Sequence, residues 1–139
     1  MLRVFFRQAD VWRSRARRKT ADPAHALGRD GEDAAHRFLQ AAGLIVVAGN
    51  YATPGGTAEV DLVARDAATL VFVEVKTRQT DEFGAPDRAI DADKRANIRR
   101  AARQYVRRAG HDPALVRFDT ISIVMTPERR LEHVRDAWR

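Results

Sequence analysis

Two alternating stretches separated only by Arg65–Thr69 constrain this chain more than anything else in it: AEVDLVA (58–64) and LVFVEVKTR (70–78). Strict alternation over runs of this length predicts β-strands, and so short a connection predicts that they pair as an antiparallel hairpin. In the first, Val60, Leu62 and Ala64 are expected on one face and Glu59, Asp61 and Val63 on the other. In the second, Val71, Val73 and Val75 form an aliphatic face, while the opposite face passes from Phe72 to Glu74, Lys76 and Arg78. A strand whose outer face turns from aromatic to charged partway along is a candidate for carrying chemistry at its charged end.

The flanking segments complete a fold. Gly31-Glu32 is expected to open a helix through Ala42, with Ala35, Phe38, Leu39 and Ala42 on one side and Gly43 as its stop. LIVVAGNY (44–51) reads as a first strand, and TPGG (53–56) as the turn after it. TDEFGAPDRAID (80–91) reads as a loop. A long helix follows from about Arg88 or Asp91 to Ala109, with Ile98, Ala101, Ala102, Tyr105, Val106 and Ala109 as its apolar line. VRFDTISIVM (116–125) is a strand, and LEHVRDAW (131–138) is an edge strand or a final helical turn. Helix, three strands, helix and returning strand make an α/β protein with a mixed central sheet flanked by helices.

If the hairpin forms, Asp61 and Glu74 share a sheet face at close range. Two carboxylates in a partly dry cleft repel, and a divalent cation removes that cost. Oxygen donors favour a hard ion, so Mg2+ (or Mn2+) is expected over zinc. Such an ion activates a bound water and offsets charge growing on a phosphoryl group, while Lys76 on the same face is placed to orient that water or to stabilise the transition state. Glu32, near the start of the first helix, completes the cluster. Phosphodiester hydrolysis is the reaction this set suggests. Glu-x-Lys alone is a weak signal; its weight comes from Asp61 and Glu32 together.

Charge tells where a polyanion would be met. The 139 residues carry a net charge of +6, and residues 1–29 hold eight basic side chains (Arg3, Arg7, Arg13, Arg15, Arg17, Arg18, Lys19, Arg29) against Asp10 and Asp22. The other residues carry 17 of each sign, so all of the excess lies at the N-terminus. Residues 1–28 are read as a basic extension, either a solvated tail, a nucleic-acid arm, or an amphipathic segment anchored through Phe5, Phe6 and Trp12. Residues 29–139 form the domain. Within it, Lys94, Arg95, Arg99, Arg100, Arg103, Arg107 and Arg108 lie in a stretch without an acid, and Arg95, Arg99, Arg103 and Arg107 recur every fourth residue. That stripe suits a phosphate backbone better than it suits a merely solvated face.

The chain contains no cysteine, which excludes disulfides, thiolate metal sites and cysteine nucleophiles and fits a cytoplasmic location. No segment has the length of an apolar membrane span. TPGGT lacks the lysine and spacing of a phosphate-binding loop. His25, His36, His111 and His133 show no ligand spacing, and Asp119 is expected to pair with Arg117 or cap the sheet.

The set Gly31-Glu32, Glu59-Val60-Asp61-Leu62, Phe72-Val73-Glu74-Val75-Lys76-Thr77-Arg78, Phe83-Gly84, Ala89-Ile90, Lys94 and Arg117-Phe118-Asp119 resembles the YraN family of small bacterial proteins over about residues 28–136. That family is similar to the PD-(D/E)XK nucleases and, among them, to archaeal Holliday junction resolvases. The resemblance implies an αβββαβ restriction-endonuclease-like core, with Asp61, Glu74 and the Val75 carbonyl as metal ligands, Lys76 as the catalytic lysine and Glu32 as the acid of the first helix. Val60 stands where the pattern has proline. From the charge pattern itself, Lys94, Arg95, Arg99 and Arg103 are expected to contact nucleic acid, and Arg78 either to do the same or to pair with Glu59 or Asp81. The implied activity is a metal-dependent endonuclease acting on DNA, branched or otherwise structured, and the implied assembly is a homodimer. A noncatalytic nucleic-acid-binding protein of the same fold is the alternative, and a protein-interaction module a weaker one.

Overall fold

The structure, a computed structural model, describes residues 22–80, 82 and 90–139. The expectations for the N-terminal segment up to residue 21, and for Phe83, Gly84 and Ala89, lie outside those residues. The described elements run α1 (Pro23–Ala41), β1 (Ile45–Ala52), β2 (Glu59–Asp66), β3 (Thr69–Thr80), α2 (Ala92–Ala109), β4 (Val116–Thr126) and β5 (Arg130–Trp138). The sheet is mixed: its spatial order follows the sequence, β3 and β4 are parallel, and every other neighbouring pair is antiparallel. A parallel step needs a long crossover, and α2 supplies it.

The two helices cover opposite faces. Ala34, Ala35 and Leu39 of α1 pack with Val46, Leu62, Ala64, Val71, Val73, Ile121 and Ile123. Ile98, Ala101, Ala102, Tyr105 and Val106 of α2 pack with Val47, Val60, Val63, Leu70 and Phe72 on the other side. The valine face of β3 therefore meets α1, and its Phe72–Glu74–Lys76 face turns toward α2. Each fully buried aliphatic side chain contributes about 1.5–3 kcal/mol relative to exposure, so this two-sided burial fixes the register of the hairpin.

Three expectations change. Helix α1 begins at Pro23 rather than at Gly31, because the Asp22 side chain accepts the Ala24 N–H and Pro23 occupies the first turn. Gly31 is not a helix start but a crossing point: a Cβ there would lie 1.8 Å from the Thr77 hydroxyl of β3. Phe38 is 37% exposed, with Ala34 taking the buried position in its place. Its ring instead meets the edge of His133 at 5.7 Å. Finally, Val60 leaves the face of Leu62 and Ala64 and joins the α2 side. The alternation of β2 thus slips at Asp61. The C-terminal stretch is an edge strand, β5, rather than a helical turn.

Candidate active site

Asp61 and Glu74 meet where β2 parts from β3. Pairing runs from Asp66↔Thr69 to Leu62↔Val73, and one more step of the same register would set Asp61 opposite Glu74. At that point the Asp61 carboxylate accepts the Val75 main-chain N–H at 2.8 Å, so a side chain takes over a backbone donor. The neighbouring β1–β2 ladder keeps its register here, from Ala48↔Val63 to Ala52↔Glu59, its shift lying between Val46 and Ala48, and Asn50, between the paired Gly49 and Tyr51, has φ 49°. Asn tolerates that left-handed region better than most residues. Its side chain hydrogen-bonds Glu32 of α1.

The parted strands let groups from both sides reach the two carboxylates. Glu32 arrives from the helix on the valine face and Lys94 from the helix on the Phe72 face. The Lys94 Nζ lies 3.4 Å from Glu74 Oε1. Glu74 itself is 7% exposed, and its Oε2 has no hydrogen-bond partner among the described residues.

The electrostatics are those of crowded acid. Burial, then repulsion from Asp61, pushes Glu74 up to about 8 against the opposing pull of Lys94. Burial likewise raises Asp61, with the Val75 N–H pulling the other way, and the two carboxyls lie within hydrogen-bond reach of each other. Only a shared proton or a cation satisfies such a pair. Glu32 is raised to about 7 by burial and then by the Asp61 charge, with the Asn50 bond opposing. Burial would lower Lys94, but Glu74 and Asp61 outweigh it and hold the ammonium above its ordinary value.

Lys76 follows Glu74 on the same face of β3, is half-buried, and pairs in the ladder with Ser122 of β4. Val75 directs its side chain to the α1 cluster. Arg78 lies farther along β3, beside Val124. The basic stripe divides. Lys94 pairs with Glu74 of the acidic site, Arg95 donates to the Ile90 carbonyl at 2.7 Å, and Arg99 donates to the Arg139 carbonyl at 2.5 Å. Arg103 is exposed. Among the described residues no three or more His, Cys, Asp or Glu side chains are gathered as a metal-binding group. Asp61, Glu74 and a main-chain carbonyl nevertheless suit a hard ion, because magnesium commonly keeps one or two carboxylates and completes its shell with water. The unpartnered Glu74 Oε2 supports that fit.

Sequence reasoning missed Asn50 and the pairing of Lys94 with Glu74. Nothing in the alternation of β1 marks Asn50, whose role depends on the slip of the neighbouring strand. Lys94 does have a local signal: Asp91 caps α2 by accepting the Lys94 N–H at 2.8 Å, which places the lysine on the first turn, nearest the sheet's charged end.

A second polar cluster is structural. Asp119, fully buried, accepts from Arg117 Nε at 2.8 Å, His133 Nε2 at 2.7 Å and the Asp136 N–H at 2.9 Å. Arg117 also donates to Asp66 at 2.8 Å. The pairing of Asp119 with Arg117 is as expected; the His133 contact was not.

No described helix is long and apolar enough to cross a membrane. The profile of the uncharacterised protein family UPF0102 matches residues 31–123. A UPF0102 protein of Solibacter usitatus is 47% identical over 99% of this chain and 100% of its own length. One from Desulfosudis oleivorans is 44% identical, covering 80% of this chain and 88% of its own. One from Rhodococcus jostii is 43% identical, covering 81% and 96%. The segments that resembled the YraN family thus lie largely within the matched region, and the chain belongs to the uncharacterised protein family UPF0102.

Proposed function

We propose that this protein is a metal-dependent endonuclease with a restriction-endonuclease-like core, hydrolysing phosphodiester bonds in branched or otherwise structured DNA. The observation that carries the reading is the Asp61–Glu74 pair: two carboxyls in mutual reach, Glu74 raised to about 8, and a buried Oε2 with no partner among the described residues. A cluster of this kind is costly as a purely structural feature and useful as a cation site.

Asp61, Glu74 and the Val75 carbonyl would hold Mg2+ or Mn2+. When bound, the ion supplies Lewis-acid stabilisation of the phosphoryl oxygens and lowers the pKa of water. Lys76, next along the same strand face, places a positive charge beside the transferring phosphate. Glu32, titrating near 7, is suited to taking a proton from water at neutral pH. Lys94 balances Glu74 when no cation is bound.

The Lys94–Glu74 ion pair favours a second reading, in which a lysine permanently takes the place of the cation and the protein binds nucleic acid without cutting it. Labelled branched, single-stranded and duplex DNA, incubated with the full chain and Mg2+ or Mn2+, separates the two. Cleavage is expected, reduced about 100-fold or more in Glu74→Ala and in Lys76→Ala. Cleavage that survives both substitutions removes this site; binding without cleavage under every condition establishes the second reading.

A further inference from the structure

Along α2, away from the acidic site, the helix and the β4–β5 edge enclose a groove of about 670 Å3. Its floor is apolar and aromatic: Val106, Phe118 and Trp138 line it, with the Phe118 and Trp138 rings stacked at 4.3 Å and 24°. Its wall is cationic, formed by Arg99, Arg103 and Arg107. Trp138 is 9% exposed, and its indole N–H has no hydrogen-bond partner among the described residues. The Arg99 guanidinium lies 5.7 Å from the centre of the indole ring, so a planar group already sits over that aromatic surface.

We propose that this groove binds an unpaired segment of nucleic acid, with a base against the Phe118–Trp138 floor and the backbone on Arg103 and Arg107, Arg99 being held by the Arg139 carbonyl. The inference rests on the nuclease reading for its direction, since the groove lies along α2, the helix whose first turn carries Lys94, and it adds which form of the substrate the protein grips. Four residues of helix advance about 6 Å, so the arginines offer regularly spaced charges that an extended sugar-phosphate backbone can follow. An aromatic floor under a cationic wall is the pairing that single strands use, stacking and charge together. A base within an intact duplex reaches such a recess only after it is unstacked. The chain's own first 21 residues are excluded as occupant by charge: seven are basic and Asp10 is the one acid. An acidic peptide would meet the arginines equally well, but it gives no reason for an aromatic floor beneath them.

The test uses the full chain carrying Trp12→Phe, which leaves Trp138 as the sole tryptophan. With EDTA present, a single-stranded oligonucleotide is expected to quench Trp138 emission, and a duplex of equal length to quench it far less. Arg103→Ala with Arg107→Ala, both exposed positions, is expected to weaken single-strand binding about tenfold and to reduce the salt slope by about 0.7 per arginine. An unchanged melting temperature in that variant shows that the fold is retained. No quenching by single strands, or an unchanged salt slope, overturns the proposal. So does a polyglutamate peptide that quenches Trp138 and is not displaced by single-stranded DNA, an outcome that assigns the groove to a protein partner. Glu74→Ala is expected to leave the quenching intact. Quenching without cleavage in Mg2+ removes the nuclease reading and keeps the groove, whereas cleavage without quenching removes the groove alone.

Discussion

Gly31 shows how one residue can set the distance between two elements. An exposed helical Gly→Ala change ordinarily gains up to about 1 kcal/mol. At Gly31 the new Cβ would lie 1.8 Å from Thr77 Oγ1 and 2.8 Å from its Cβ, so rotating the hydroxyl does not clear the clash. Overpacking of this sort costs about 1–3 kcal/mol, which outweighs the propensity gain. Gly28, three residues earlier in the same helix, has nothing within 4 Å of the position a Cβ would take. Urea denaturation should therefore show Gly31→Ala less stable than the parent and Gly28→Ala equal or more stable. Equal midpoints for the two variants would contradict the close approach. The glycine was visible in the sequence, but its meaning was not, because the clash partner lies in a strand that the alternation pattern could not dock against α1.

At the scale of elements, the site is made by a parting of strands. The hairpin, its approximate limits and the charged face of β3 were all legible, since alternation and a short connection are local properties. The slip at Asp61 was not. Val60, Asp61 and Leu62 read as unbroken alternation, and only the end of β2–β3 pairing beyond Leu62 shows that Val60 and Leu62 face different helices. The β4–β5 edge carries its own irregularity: the register shifts between Phe118 and Thr120, and Asp136 adopts φ 50°. Asp119 holds that irregularity by accepting the Asp136 N–H as well as the Arg117 and His133 donors. Asp119→Asn leaves Arg117 without its buried counter-charge, and a loss of about 3–5 kcal/mol is expected in chemical denaturation. A loss under about 1 kcal/mol would show that the Arg117–Asp66 bond alone supports the edge.

For the whole molecule, the two acidic clusters give stability opposite dependences on pH. The Arg117 and His133 bonds outweigh burial and hold Asp119 below its ordinary 3.8, so its contribution is present above that value and is lost as pH falls through the native one. Glu32 and Glu74 are raised from 4.5 to about 7 and about 8, so their contributions are complete below 4.5 and are lost as pH rises through the native values. The metal-free protein should melt highest near the low end of the interval between 4.5 and 8 and at progressively lower temperature toward its upper end. Glu74→Gln should flatten that decline. A melting temperature in EDTA that is constant across the interval would mean that the carboxyls are not crowded as described.

By itself the sequence determined the α/β class, the hairpin, the apolar line of α2, the candidate acids Glu32, Asp61 and Glu74, and the displacement of net charge into the N-terminal segment. These follow from periodicity, capping and composition, which act over a few residues. Tertiary structure alone decided that β2 separates from β3 at Asp61, that α1 and α2 deliver Glu32 and Lys94 from opposite faces, and that the arginine stripe of α2 divides into tied residues and a groove wall. Those outcomes depend on which faces are buried together. VFVEVKTR carries its charges in plain view, but the environment that raises Glu74 is built by residues that come near it only when the chain is folded.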